Sequence, residues 1–152
     1  MVQRVAQASI EIADEASREA RREMGAGLLV LLGVGRNDTE QSVDDLVRKI
    51  LGLRIFEDET GRMNFSLLDT GGELGVVSQF TLWGDTRKGR RPSFNEAAPP
   101  DVAAPLIETF ARKARDQGVR VITGKFGARM EVALTNSGPV TLWVDSEGRN
   151  AP

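Results

Sequence analysis

The 152-residue chain has 40% hydrophobic residues, 28% charged residues and a net charge of −2. These are the proportions of one globular domain, so disorder, a fibrous class and a second domain of similar size are excluded. It has neither cysteine nor histidine, which removes disulfides, thiolate zinc sites, cysteine nucleophiles, Ser-His-Asp catalysis and HExxH chemistry. Chemistry must therefore come from hydroxyls, carboxylates, backbone groups or the substrate, and any anionic partner must be held by a local patch.

Residues 2–12 alternate: Val2, Ala6, Ala8, Ile10 and Ile12 fall on one side, and Gln3, Gln7, Ser9 and Glu11 on the other. Despite the break at Arg4-Val5 this predicts a half-buried strand. Residues 13–23 are charged and lack Gly or Pro until Gly25, a composition that allows either a short helix or an exposed connection. GLLVLLGV at 27–34 is a continuous apolar run suited to a strand covered on both faces. Asn37, Asp38 and Thr39 offer helix caps, and Val43, Leu46, Val47 and Ile50 follow at helical spacing.

A short strand is expected at 54–56, turns at 58–61 and 69–72, and a strand at 74–83. Asp101 can cap a second helix striped by Leu106, Ile107, Phe110 and Ala114, ended by Gly118. Three strands follow, at 119–123, 130–135 and 140–144, the last two joined by the turn Asn136-Ser137-Gly138-Pro139. Residues 147–152 read as a flexible tail. The prediction is an α/β fold with one mixed β-sheet and two main helices in one domain, residues 1–146. No apolar run is long enough to span a bilayer and no segment has signal-peptide order, so a cytoplasmic protein without membrane contact is expected.

Candidate chemistry gathers in residues 76–94, VVSQFTLWGDTRKGRRPSF. On a regular strand Ser78, Phe80 and Leu82 face one way and Val77, Gln79 and Thr81 the other. Ser78 and Thr81 then cannot share a pocket, so either one is structural or the strand bends. Arg87, Lys88, Arg90 and Arg91 put four cations within five residues, a cluster able to hold phosphates or simply to be a solvated turn. Gly138-Pro139 alone is most simply a hairpin turn. Phe126 and Met130, in KFGARM, are either core residues or the walls of a pocket for a flat ring.

Five segments carry a resemblance: GLLVLLGVG at 27–35, LRIFEDETGRMNFSLLD at 53–69, the stretch at 76–94, FGARM at 126–130 and NSGPVTLW at 136–143. Together they resemble the D-aminoacyl-tRNA deacylases. SQFTL and NSGPVT at this separation are the specific pair, and the likeness runs from residue 2 to about 146. It implies the fold of that family and a homodimer that hydrolyses the ester between a D-amino acid and the terminal adenosine of tRNA, accepting mischarged glycyl-tRNA as well.

By this resemblance Gly138-Pro139, through a cis bond, reaches into the partner's pocket containing Ser78, Gln79, Phe80 and Thr81, and its backbone rejects L side chains. Phe126, Gly127 and Met130 help hold the adenosine, and Arg87, Lys88, Arg90 and Arg91 are the candidate tRNA contacts. No cofactor or metal is implied. An aminoacyl ester is already activated, so a positioned water suffices if the oxyanion is stabilised. Backbone N–H groups around Gln79 and Phe80 are candidate donors, and the ribose 2′-hydroxyl is a candidate proton carrier. Thr81 is the nucleophile if a covalent route operates, but no base adjoins it in sequence, which favours substrate-assisted hydrolysis.

Two departures stand out. Residues 13–20 replace the family's short Val-Asp-Gly hairpin, which leaves the first hairpin unpredicted, and Trp83-Gly84 stands where tyrosine and alanine are commoner. The alternatives are a non-catalytic RNA-binding module using the basic loop and a dimeric structural protein.

Overall fold

Alternating apolar and β-branched residues build β1 (Val2–Ile12), and the rest of the sheet is arranged around it. The computed structural model describes residues 1–13 and 21–146. One edge of β1 is shared. Its first half pairs antiparallel with β3 (Gly27–Leu32), from Val2↔Val30 to Val5↔Gly27, and its second half pairs with β2 (Arg21–Met24), from Ala8↔Met24 to Glu11↔Arg21. Residues 21–23, expected in a helix or loop, are therefore strand. Beyond β3 the edge of β1 is open to a partner, and Met24 is buried behind it, which outweighs the local propensity of Arg and Glu. β1 and β2 make an antiparallel pair, but residues 14–20 between them lie outside the described residues.

β6 (Glu73–Ser78) lies parallel to β3, and β7 (Val121–Thr123) lies parallel to β6. The path β2-β1-β3-β6-β7, with β8 (Met130–Leu142) on the other edge of β1, completes a six-stranded sheet. A separate two-stranded ribbon joins β4 (Phe56–Glu57), slightly later than expected, to β5 (Met63–Phe65). The one-turn helix α2 (Leu67–Thr70) follows, capped by Ser66, whose side chain and amide both bond Asp69.

Period-two alternation along β3 sends Leu28, Val30 and Leu32 to one core and Leu29 and Leu31 to another. The first core is roofed by α1 (Glu40–Leu51), through Val43, Val47, Ile50 and Leu51, and by α3 (Pro100–Asp116), through the fully buried Phe110 and Ala114. The second is closed by the sheet curling on itself, with Ala8 and Ile10 of β1 and Val132 and Leu134 of β8 meeting Leu29 and Val77. So the run at 27–32 is covered on both faces, as its continuous hydrophobicity predicted. Thr39 caps α1 as expected. α3 instead starts at Pro100 behind Pro99, with Asp101 in its first turn; a proline's fixed φ suits that first position, so the helix opens before the predicted cap. No helix among the described residues is long and apolar enough to cross a membrane.

Three further local expectations fail. The predicted strand at 74–83 stops at Ser78, and Phe80–Trp83 forms a 3₁₀ turn. The predicted hairpin at 136–139 is no hairpin, because β8 is one strand and both its halves pair with β1. From Gln3 to Val5 β1 advances two residues while β8 runs back five, from Thr141 to Asn136, so the segment between bulges out of the ladder. A long β1 offers one edge to both halves, which a sequence reading of two short strands cannot reveal. Ala6, expected inside, is exposed, because the ladder also shifts register between Val5 and Gln7.

Candidate active site

β6 delivers its C-terminal end to the edge of the sheet, where the Gln79 amide donates to the Leu32 carbonyl (2.8 Å) and the chain turns out of plane. Leu82 N–H then bonds Gln79 O (3.3 Å) and Gly84 N–H bonds Thr81 O (3.0 Å), fixing the 3₁₀ turn. Strand alternation therefore ends at Ser78, and the bend puts Ser78, Gln79 and Phe80 along one wall of a cleft of about 580 Å³. Phe126, Gly127 and Met130 line the same cleft, brought there by the loop between β7 and β8. Met130 is held under that loop by the Lys125 amide, which points at its Sδ (3.3 Å). Two segments nearly fifty residues apart in sequence thus share one cavity, of a size suited to a nucleoside bearing an amino acid.

The bend does not bring Thr81 into the cleft. Thr81 is exposed, outside the lining, and its Oγ1 accepts a hydrogen bond from the Gln79 side-chain amide. A carboxamide is not a base at either end, so nothing bonded to Thr81 would activate it as a nucleophile. The Gln79 backbone N–H, expected as an oxyanion donor, is taken by Leu32. The amides of Phe80 and Thr81 open the turn, where an N–H has no acceptor within the turn itself. Among the described residues lining the cleft, none is ionisable.

Part of the wall was not anticipated from sequence. Val34, Ala98, Pro100, Ala103 and Ile107 close the cleft on the side of α3. Ile107 belongs to the stripe read as core, and Ala103 lies one helical turn before it. The small residues Ala97 and Ala98 before the helix were the available sign that something must fit there. Phe94 also lines the mouth, edge-on to Phe80 with ring centroids 5.0 Å apart at 68°.

Gly138-Pro139 lies outside this cleft, in the bulge of β8, and its peptide bond is cis. Gly138 has φ +132, backbone that favours glycine. Asn136 bridges the bulge: its Oδ1 accepts from Val140 N–H (2.7 Å) and its Nδ2 donates to Val140 O (3.1 Å). Arg4, the residue that interrupted the alternation of β1, is buried beneath the bulge. It donates from Nε to Ser137 O (2.9 Å), from one terminal nitrogen to Ile55 O (2.5 Å), and from the other to Glu57 Oε1 (3.1 Å). Nothing in its sequence context marked Arg4 as more than an irregularity.

Of the four cations, Arg87 is occupied. Its amide, Nε and a terminal nitrogen donate to the Asp85 carboxylate at 2.9, 2.9 and 2.8 Å. Those bonds, the side-chain ones first, hold the Asp85 carboxyl down to about 2. Lys88, Arg90 and Arg91 are exposed on the loop.

Comparison with known proteins gives the family of the chain. Residues 1–145 match the family described as D-Tyr-tRNA(Tyr) deacylase. The chain is 57% identical over 146 residues to the D-aminoacyl-tRNA deacylase of Roseiflexus sp. (strain RS-1), covering 96% of this chain and 92% of that one. It is 53% identical to the Bacillus pumilus (strain SAFR-032) protein of the same name, covering 97% of each. A solved structure titled c-Myc DNA Unwinding Element Binding Protein superposes with a TM-score of 0.82 at 40% identity, over 93% of both chains. Another, titled a probable eukaryotic D-amino acid tRNA deacylase, shares the fold with a TM-score of 0.77 at 22% identity, over 91% of this chain and 93% of that one. With one family matched over residues 1–145 and relatives above half identity along nearly the whole chain, the protein belongs to the D-Tyr-tRNA(Tyr) deacylase family.

Proposed function

We propose that this protein hydrolyses D-aminoacyl-tRNA, releasing free tRNA and the D-amino acid, with residues 1–146 as the catalytic domain. The observation that carries the mechanism is the cleft itself, which has a nucleoside-sized volume and no ionisable side chain among its lining residues. With no acid, base or activated nucleophile supplied there, the substrate must provide the reactivity. Water attacks the ester carbonyl carbon, the amide N–H of Phe80, which opens the turn and has no acceptor within it, bonds the developing oxyanion, and the C–O bond to the ribose 3′-oxygen breaks. The neighbouring 2′-hydroxyl passes the proton from the attacking water to the departing 3′-oxygen. Phe126, Gly127 and Met130 hold the adenosine, and Ser78 shapes the floor beside the reacting carbonyl.

Selectivity in this reading comes from a second subunit. Gly138-Pro139 bulges away from its own sheet and is braced from below by Arg4, as a segment inserted into a partner's cleft must be. Its backbone leaves no room for an L side chain and accepts a D residue or glycine, so glycyl-tRNA is a second substrate. The work is cytoplasmic, where aminoacyl-tRNA is used, and serves chiral proofreading.

The test is deacylation of matched D- and L-tyrosyl-tRNA, with glycyl-tRNA alongside. Release from the D and glycyl esters with the L ester spared is expected; equal hydrolysis of both enantiomers would sink the proofreading assignment. A non-catalytic RNA-binding module is the second reading, favoured by the exposed Lys88, Arg90 and Arg91. It predicts salt-dependent tRNA binding with no ester turnover in the same assay.

A further inference from the structure

The basic loop is not an appendage. Asp85 and Ser93 exchange two backbone hydrogen bonds, N–H to O at 2.8 Å and 3.0 Å, so residues 85–93 close into a loop with a fixed base. Both ends of that base land on the catalytic turn. On one side Gly84 donates its amide to Thr81 O (3.0 Å). On the other Phe94 sets its ring edge-on to Phe80, at 5.0 Å. Gly84 makes this approach possible, since a Cβ there would lie 3.1 Å from Phe94 Cε1 and 3.0 Å from Thr81 O. Phe80 is 58% exposed, so the Phe94 ring is a principal support for its side chain.

Within the loop the cations divide. Arg87 is clamped to Asp85 by three hydrogen bonds and shapes the loop from inside. Lys88, Arg90 and Arg91 are exposed on it with no ion pair among the described residues, and the base of the loop runs directly into Phe94, which lines the cleft. Three exposed cations on a loop that runs into a nucleoside-sized cleft fit the phosphodiester groups just upstream of the nucleoside the cleft holds.

We infer that residues 85–93 form a phosphate-reading hairpin and that Phe94 is a positioning residue coupling its engagement to the catalytic turn. This rests on the deacylase reading above. Docking of the tRNA backbone on Lys88, Arg90 and Arg91 fixes the hairpin; its base then holds Phe94 against Phe80, and Phe80 keeps the oxyanion-facing amide in place. Arg87 contributes through Asp85 and makes no phosphate contact.

The experiment compares two D-tyrosyl esters, full D-tyrosyl-tRNA and 3′-D-tyrosyl-adenosine, which lacks the phosphate backbone. Lys88→Ala, Arg90→Ala and Arg91→Ala combined should raise KM for the tRNA about ten-fold or more and flatten its salt dependence by about two to three units of log–log slope. The same triple variant should lose at least about ten-fold more kcat/KM on the tRNA than on the adenosine ester. Phe94→Leu should lower kcat about two- to ten-fold on both esters with KM little changed, the range expected for loss of one aromatic pair. Because docking is coupled to the turn, the triple variant should also lower kcat on the tRNA about two-fold or more, and that loss and the loss from Phe94→Leu should be non-additive.

A triple variant that weakens both esters alike, or additive kcat effects, overturns the coupling. Phe94→Trp, which keeps an aromatic edge, separates positioning from folding: recovery of kcat supports the assignment and failure to recover in a folded variant opposes it. If the unaltered protein cleaves neither ester, the deacylase reading fails, an outcome distinct from all of these.

Discussion

Replacing Arg4 by Met tests whether the bulge of β8 is built from below. Met matches much of the side chain's length, so little cavity is created and the effect isolates the guanidinium. Three acceptors lose their donor. Ile55 O is buried and Ser137 O part-buried, while Glu57 has a side chain 55% exposed, so its ion pair is largely screened and adds little. A hydrogen bond to a charged group contributes about 1.5–3 kcal/mol, and a buried carbonyl left without a donor costs about 1–3 kcal/mol. Relief of the desolvated cation offsets part of this. A net loss of about 3 kcal/mol follows, which for a chain of this size lowers Tm by about 6–12 °C. Urea denaturation at fixed protein concentration should show a lower midpoint with an unchanged m-value. At a temperature where the variant is folded, the ratio of D- to L-tyrosyl-tRNA hydrolysis should also fall, because Ser137-Gly138 has lost its anchor. A stability loss below about 1 kcal/mol with an unchanged D/L ratio would make Arg4 a bystander of the bulge.

Thr81→Val should keep most of the activity, since the residue is exposed and bonded only to a non-basic carboxamide; loss of about a thousand-fold or more in kcat, with a trapped acyl-enzyme in the unaltered protein, would restore it as a nucleophile. Gly35→Ala places a Cβ about 2.6 Å from Trp83 Cη2, so overpacking should cost about 1–3 kcal/mol and lower kcat by displacing the catalytic turn, read by thermal melting and single-turnover kinetics. Asp85 titrates at about 2 in the folded chain against 3.8 for an unperturbed carboxyl. Its contribution to the hairpin is therefore fully present above about pH 4 and lost as pH falls through about 2, and an NMR midpoint near 3.8 with an unshifted Arg87 Nε–H would count against the clamp.

The alternating and continuous apolar runs were enough to assign β1, β3 and α1, because a period of two or 3.6 is a direct consequence of which face meets the core. Composition was equally decisive for chemistry, since a chain without histidine or cysteine has few routes to an ester except through backbone and substrate. The motifs SQFTL and NSGPVT pointed to the family. Their geometry was not legible. Alternation alone put Ser78 and Thr81 on opposite faces of a strand, whereas the chain leaves the sheet once Gln79 bonds Leu32, a partner set by the parallel pairing of β3 and β6.

The bulge at Asn136–Pro139 read as a hairpin for a similar reason. A hairpin and a bulge use the same turn residues, and only the edge available on β1 chooses between them. Arg4 interrupted a hydrophobic pattern, and its three acceptors come from residues 55, 57 and 137, which local sequence cannot assemble. Local periodicity and residue type were sufficient for β1, β3 and the two main helices, for the chemistries that are absent and for the family, because none of these needs a distant partner. Tertiary structure alone decided where β6 ends, which cations remain exposed and how the cleft is walled, because each depends on pairings between segments distant along the chain.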